Sequence, residues 1–245
     1  MKKSSEYLVE IKNMKKWFPV QTNFIDQIFA KQLEYVHAVD GVSFQIRKGE
    51  VLGLAGESGS GKTTIGRVTI GLEPATSGEV YFDGMDLSKL SREELRKLRR
   101  RMQVIFQDPL ASLNPRMSLG DSIMQGLKIH YPESALQHRD IALETMEKVG
   151  LTPARFYFNK YPHQISGGQR QRVVIARALI TKPDLVLADE PIAMADVSVR
   201  ALLLDLMVQL KEEFDLTYLF ITHDLATAKY ICDKIAVLYL GKIAE

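Results

Sequence analysis

Residues 56–64, Gly-Glu-Ser-Gly-Ser-Gly-Lys-Thr-Thr, limit what this chain can be more than any other stretch. They fit the pattern G-x-x-x-x-G-K-[ST], which cradles phosphates when it joins a strand to a helix. The flanks meet that condition. An apolar run at 51–55 reads as a buried strand, and helix-forming sequence continues from 62 to about 71. Gly56, Gly59 and Gly61 let the backbone turn tightly and aim its N–H groups at one point, with Glu57, Ser58, Ser60 and Thr64 completing the loop. The helix that follows turns its positive end toward the same point. From there Lys62 reaches the β- and γ-phosphates, and the Thr63 hydroxyl faces Mg²⁺. A glycine-rich turn that binds nothing has no need of Lys-Thr at its end. Nucleoside triphosphate binding is therefore expected.

A length of 245 residues suits one or two domains with an ample core. With 46% apolar and 25% charged residues the composition is that of an ordinary globular protein. The net charge of +2 is too small to predict a nucleic-acid partner. A single cysteine, Cys232, excludes an intrachain disulfide framework and a Cys-based metal cluster, and predicts a cytoplasmic protein. The first residues lack the apolar stretch of a signal peptide, and no apolar run approaches the ~20 residues that span a bilayer. A membrane role is expected only through a partner.

Along the chain, alternation at 7–11 predicts an edge strand, with Trp17-Phe18-Pro19 ending it. Apolar residues at 25, 28, 29 and 33 fit a short amphipathic helix or a loop equally well. Strands are expected at 39–46 and 79–82, with turns at 47–49 and 83–84. Ser91 with Glu94 predicts a capping box opening a helix rich in Arg and Lys. Its basic face could contact an acidic or phospholipid partner, but a solvated face is the better reading. A buried strand is expected at 102–106, helical segments at 119–158, and a helix from 166 to about 181. Further strands are predicted at 185–188, 216–222 and 234–240, and helices at 199–214 and 225–231. Strands alternating with helices predict a parallel sheet whose ligand sites lie beyond the strands' carboxyl ends. Gln107, Asp189-Glu190 and His223 fall at such ends.

Asp189 follows a wholly apolar strand, where an unpaired carboxylate is costly. Mg²⁺ shared with Thr63 would stabilise it, and Glu190 next to it can accept a proton from an attacking water. At this point the chain resembles the ATP-binding cassette (ABC) family over essentially its whole length. The motifs match in order: the phosphate loop (Walker A), Gln107, Ile165-Ser166-Gly167-Gly168-Gln169-Arg170-Gln171-Arg172, Leu185-Val186-Leu187-Ala188-Asp189-Glu190 (Walker B), Asp196 and His223. Ser-Gly-Gly-Gln is the specific element.

The resemblance implies an α/β P-loop NTPase cassette with a mostly parallel core sheet, an antiparallel β subdomain and an inserted helical subdomain. The cassette would occupy 1–245, with the core and β subdomain at about 1–107 and 163–245 and the helical part at about 108–162. It implies ATP and Mg²⁺ as cofactors, with Thr63, Gln107 and Asp189 serving the metal. Glu190, His223 and Lys62 would be catalytic. Two cassettes would pair head to tail, Ser166, Gly167, Gly168, Gln169 and Asp196 of each closing on the other's ATP. Phe18 falls on the position that stacks on adenine, with Trp17 the runner-up.

Residues 105–117, 155–166, 36–44 and 239–242 look like the ATPase subunits of oligopeptide and dipeptide importers, and Trp17-Phe18-Pro19-Val20 favours the F-type subunit. The implied partners are a second cassette, two integral-membrane permease subunits and an extracytoplasmic substrate-binding protein. The implied place is peripheral, on the inner face of the cell membrane. Alternatives are a non-transport ATPase of a phosphonate-degrading complex and an ATP-gated interaction module; the cargo could also be nickel or a short oligosaccharide. Two departures stand out. Ala193-Met194-Ala195-Asp196 replaces the usual Ser-x-Leu-Asp, and the sequence ends at Glu245, before the cysteine-containing tail with which such importers usually continue.

Overall fold

In the computed structural model, which describes residues 6–20 and 34–245, ten strands and nine α-helices alternate along the chain among the described residues. The segment expected as a helix or loop at 24–33 lies outside the described residues. Strands β1 (Tyr7–Pro19), β2 (Tyr35–Arg47) and β3 (Val51–Gly56) lead into helix α1 (Lys62–Thr69). Then come β4 (Ser77–Phe82), β5 (Met85–Asp86), α2 (Arg92–Leu98) and β6 (Met102–Ile105). Helices α3 (Pro109–Ser112), α4 (Leu119–His130), α5 (His138–Lys148), α6 (Ala154–Phe158) and α7 (Gly167–Leu179) follow. The chain continues through β7 (Leu185–Asp189), α8 (Val197–Phe214), β8 (Thr217–Thr222) and α9 (Leu225–Ile231), and closes with β9 (Lys234–Tyr239) and β10 (Lys242–Ile243).

The strands form two sheets, a six-stranded one in the order β10-β9-β3-β8-β7-β6 and a four-stranded antiparallel one in the order β2-β1-β4-β5. In the larger sheet β9, β3, β8, β7 and β6 run parallel, and only the β9–β10 pair is antiparallel. This is the mostly parallel sheet beside an antiparallel one that the resemblance implied.

Side chains alternate across a strand, so each buried strand of the parallel sheet serves two cores. Leu52, Leu54, Leu185, Leu187, Leu219 and Ile221 join Leu8, Ile11 and Phe82 of the antiparallel sheet in one cluster. Val51, Val186, Ala188, Tyr218 and Phe220 join the helices α4 to α8 in the other. A strand with both faces covered reads as a continuous apolar run, which is why 51–55 and 185–188 were legible. The parallel direction then delivers Gly56, Ile105, Asp189 and Thr222 to the same edge of the sheet.

Two strands differ from expectation. β1 is not an edge strand of 7–11: it continues to Pro19 and lies between β2 and β4, with register shifts that bend it. Its partners come from sequence far downstream, which local alternation cannot reveal. The strand expected to be buried at 102–106 ends at Ile105 and forms the sheet's edge, with Met102 and Ile105 buried but Gln103 and Val104 only partly so. The Ser91–Glu94 capping box is present, with Ser91 N–H donating to Glu94 at 2.8 Å and Glu94 N–H to Ser91 Oγ at 3.3 Å. Several of the basic residues there are engaged within the chain. Arg96 pairs with Glu93, Arg99 donates to the Gly71 carbonyl, and Arg101 bridges Asp83 and Asp184.

Candidate functional site

β3 ends at Gly56 and α1 starts at Lys62, so the loop between them emerges at the carboxyl edge of the sheet. Two of its glycines are sterically required. A Cβ at Gly56 would lie 2.4 Å from the Leu238 carbonyl oxygen, and one at Gly61 2.4 Å from that of Ala38; both residues have positive φ. Lys62 is buried, and its ammonium donates to the carbonyls of Gly56 at 2.7 Å and Glu57 at 2.6 Å. Burial lowers its pKa, while the charges of Glu190 and Asp189 pull the other way. The lysine is thus held inside the loop's own curve, poised toward whatever anion the loop accepts.

Across the loop the neighbouring strands supply the acids. Thr63 Oγ1 donates to Asp189 Oδ1 at 3.1 Å, tying the first turn of α1 to the end of β7. Burial raises the Asp189 pKa, and the Thr63 hydrogen bond opposes the rise. Glu190 has φ of 48°, an uncommon backbone conformation for a non-glycine residue, and its N–H is held by the Ile221 carbonyl at 3.0 Å. Its carboxylate takes Gln107 Nε2 on one oxygen at 3.0 Å and meets His223 Nδ1 with the other at 3.1 Å. A cavity of about 570 Å³ opens over the group, with Gly59, Lys62, Thr63, Gln107, Glu190 and His223 among its walls.

The structure therefore brings together the phosphate loop with Gln107, Asp189, Glu190 and His223. It does not bring Ser166, Gly167, Gly168, Gln169 or Asp196 to this cavity. Ser166 caps α7 in a reciprocal box with Gln169, whose amide also donates to the Tyr157 hydroxyl at 3.0 Å. Gly168 abuts Val199, whereas a Cβ at Gly167 would meet nothing within 4 Å, so that glycine faces open space. Asp196 caps α8 through its backbone carbonyl, which accepts from Val199 and Arg200. Phe18 is 37% exposed, lies beneath the Lys16 ammonium, and is not among the cavity's walls. Trp17 stacks on His37 with centroids 4.2 Å apart, next to Ala38, which does line the cavity.

Three contributors escaped the sequence reading. Ala38 lines the cavity from β2, and only the long-range placement of that strand puts it there. Arg200 donates to the Ala195 carbonyl at 2.9 Å and the Ala193 carbonyl at 3.4 Å, bracing the stretch that lacks the usual hydroxyl. A cation in the first turn of a helix opposes the helix dipole, and that mismatch was its available signal. The third is the turn between β9 and β10. Leu240 and Gly241 both have positive φ, as a two-residue type I′ hairpin requires, and Gly241 N–H donates to the Ser60 carbonyl at 3.0 Å.

The donor set fits Mg²⁺. Thr63, Asp189 and Gln107 present hydroxyl, carboxylate and amide groups, whose oxygens are the hard ligands that ion prefers. Among the described residues no cluster of three or more His, Cys, Asp or Glu could cage a metal. Mg²⁺ commonly takes one or two protein ligands and completes its shell with phosphates and water.

A family model described as ABC transporter matches residues 39–193. The chain is 46% identical over 243 residues to the oligopeptide transport ATP-binding protein AppF of Bacillus subtilis, covering 99% of this chain and 72% of that protein. It is 51% identical over 207 residues to a putative peptide import ATP-binding protein of Brucella ovis, covering 84% of this chain and 65% of that one. The chain thus spans between two thirds and three quarters of such relatives, or slightly less. Among solved structures it resembles a dimeric ATP-binding cassette, MJ0796, in a post-hydrolysis state bound to ADP and Pi. The TM-score is 0.82 and the identity 31%, with 97% of each chain covered.

Proposed function

Because this chain belongs to the ABC transporter family, we propose that it is the ATP-hydrolysing subunit that energises peptide import through separate membrane subunits. One observation carries the reading. A single carboxylate, Glu190, is held by Gln107 and His223 over the same cavity that Lys62 and Thr63 line, and the Thr63 hydroxyl reaches the buried Asp189 behind it. Those are the groups an ATPase needs in one place: anion donors, a metal site, a base and a group to orient the γ-phosphate.

In this reading the loop amides and Lys62 bind the β- and γ-phosphates. Thr63, Asp189 and Gln107 would hold Mg²⁺, which when bound neutralises developing phosphate charge. Glu190 orients a water and takes its proton. His223 orients the γ-phosphate, and Phe18 or its neighbour Trp17 receives the adenine. The reactive groups bond to one another: Lys62 to loop carbonyls, Thr63 to Asp189, and both Gln107 and His223 to Glu190. Binding then exchanges these internal bonds for bonds to the triphosphate. In the same reading the core and β subdomain occupy about 1–107 and 163–245, and the helical part about 108–162.

Among the described residues no helix is long and apolar enough to cross a membrane. The proposed partners are two permease subunits and an extracytoplasmic binding protein, with the cassette on the inner face of the membrane. The relatives' names favour import over the phosphonate-degrading alternative. Reconstitution with the permease subunits of a peptide importer tests this. ATP-dependent uptake of an oligopeptide is expected, and uptake of nickel or an oligosaccharide without peptide would overturn the cargo.

Two further results are expected here. Ser166–Gln169 lies away from the cavity of its own chain, which supports the reading that a second cassette closes each site. ATPase activity per chain should then rise with protein concentration, as a second-order process; a concentration-independent rate would contradict pairing. Asp189→Asn should keep the Thr63 contact within reach but lose the charge. Half-saturating Mg²⁺ should rise by roughly tenfold or more, the cost of one charge-assisted contact, in a Mg²⁺ titration of activity.

A further inference from the structure

The turn between β9 and β10 touches the phosphate loop without lining its cavity. Gly241 N–H donates to the Ser60 carbonyl at 3.0 Å, and the Gly241 carbonyl accepts from Asp40 N–H at 2.8 Å. The turn is therefore pinned between β2 on one side and the loop on the other. Within the loop, the carbonyls of Gly56 and Glu57 face Lys62, and Ser60 N–H returns to Glu57 at 3.2 Å. The Ser60 carbonyl is the loop acceptor whose partner comes from outside the loop and its helix.

That contact sets the orientation of one peptide plane. The only cis bond among the described residues is Thr152–Pro153, so the 60–61 peptide is trans. In a trans peptide the C=O and N–H point in opposite directions. Drawing the Ser60 carbonyl to Gly241 turns the Gly61 N–H the other way. Among the described residues that N–H has no hydrogen-bond acceptor, and Gly61 lines the cavity. We infer that Gly241 is a positioning residue for nucleotide binding: by holding the Ser60 carbonyl, it aims the Gly61 N–H at a phosphate. This rests on the phosphate-binding reading above and adds the group that sets the loop's geometry.

The identity of residue 241 follows from the same contacts. Gly241 has φ of 77°, and a Cβ there would lie 2.9 Å from the Ala38 carbonyl oxygen and 3.2 Å from that of His37. Both are backbone atoms of a paired strand, so neither yields cheaply. An added methyl group would lift the turn from β2 and withdraw its N–H from Ser60.

The test compares wild type with Gly241→Ala by displacement of a fluorescent ATP analogue with ATP and with AMP. ATP affinity should fall by roughly tenfold, the loss of one hydrogen bond to a charged group. AMP affinity should stay within about twofold, since a purely structural lesion would weaken both. Unchanged ATP affinity in a folded variant, or equal weakening of AMP, would overturn the inference while leaving the ATP site standing. Wild type that binds no ATP would overturn both. Should Gly241→Ala fail to fold, amide NMR of the wild type decides. The Gly241 amide should resist exchange and the Gly61 amide should shift on adding ATP; a freely exchanging Gly241 or an unmoved Gly61 overturns the assignment.

Discussion

Glu190→Gln should leave ATP binding and ATP-driven pairing of two cassettes intact while lowering turnover by about 10²–10⁴-fold, the usual worth of a general base. The substitution nearly preserves shape, and the amide can still accept one hydrogen bond from Gln107 or His223. It cannot take a proton from water. The carboxylate is otherwise well placed: both of its oxygens are engaged, and the Glu190 N–H is fixed to Ile221, so it has little freedom to drift. Turnover under saturating ATP and the ATP-dependent dimer on size exclusion check the two halves separately. A variant that hydrolyses at the wild-type rate would remove Glu190 from the role of base.

Lys62→Ala should reduce ATP affinity by about a hundredfold or more. The ammonium can make at least two charge-assisted bonds to phosphate oxygens, each worth roughly 1.5–3 kcal/mol. The effect has two sources. The anion loses its positive partner, and the Gly56 and Glu57 carbonyls lose the donor that holds the loop's curve. Calorimetry with ATP measures the loss, and thermal unfolding without nucleotide separates loop damage from charge loss. An unchanged dissociation constant would rule out this loop as the triphosphate site.

The two variants also separate binding from chemistry. Glu190 sits at the end of β7 and touches no loop carbonyl, so its loss should appear in the rate alone. Lys62 lies in the loop itself, and its loss should appear first in affinity.

What could be read from the amino acids has a common physical basis. Steric and hydrogen-bonding demands that act within a few residues leave local signatures. The glycines and Lys-Thr of the phosphate loop, the apolar runs of doubly buried strands and the Ser91–Glu94 box all belong to this class. So does the abrupt change from apolar strand to Asp189-Glu190. The pairing of β1 with both β2 and β4, and the edge position of β6, depend on partners tens of residues away and left no local mark.

The site divides the same way. Its reactive residue types were visible in the chain, because a carboxylate, a lysine or a histidine at the end of an apolar strand is conspicuous. Their mutual geometry was not: the 3.1 Å between Thr63 and Asp189 and the shared grip of Gln107 and His223 on Glu190 arise where four parallel strands end at one edge. Ala38 and Gly241 contribute through backbone atoms or their place in the fold, and Arg200 through a guanidinium whose acceptors are the Ala193 and Ala195 carbonyls, which local sequence does not place. Local sequence was enough to reveal a phosphate loop, a Walker-type acid pair and strands covered on both faces. The direction of the 60–61 peptide in that loop came from the fold alone, since a hydrogen bond from a turn about 180 residues downstream orients it.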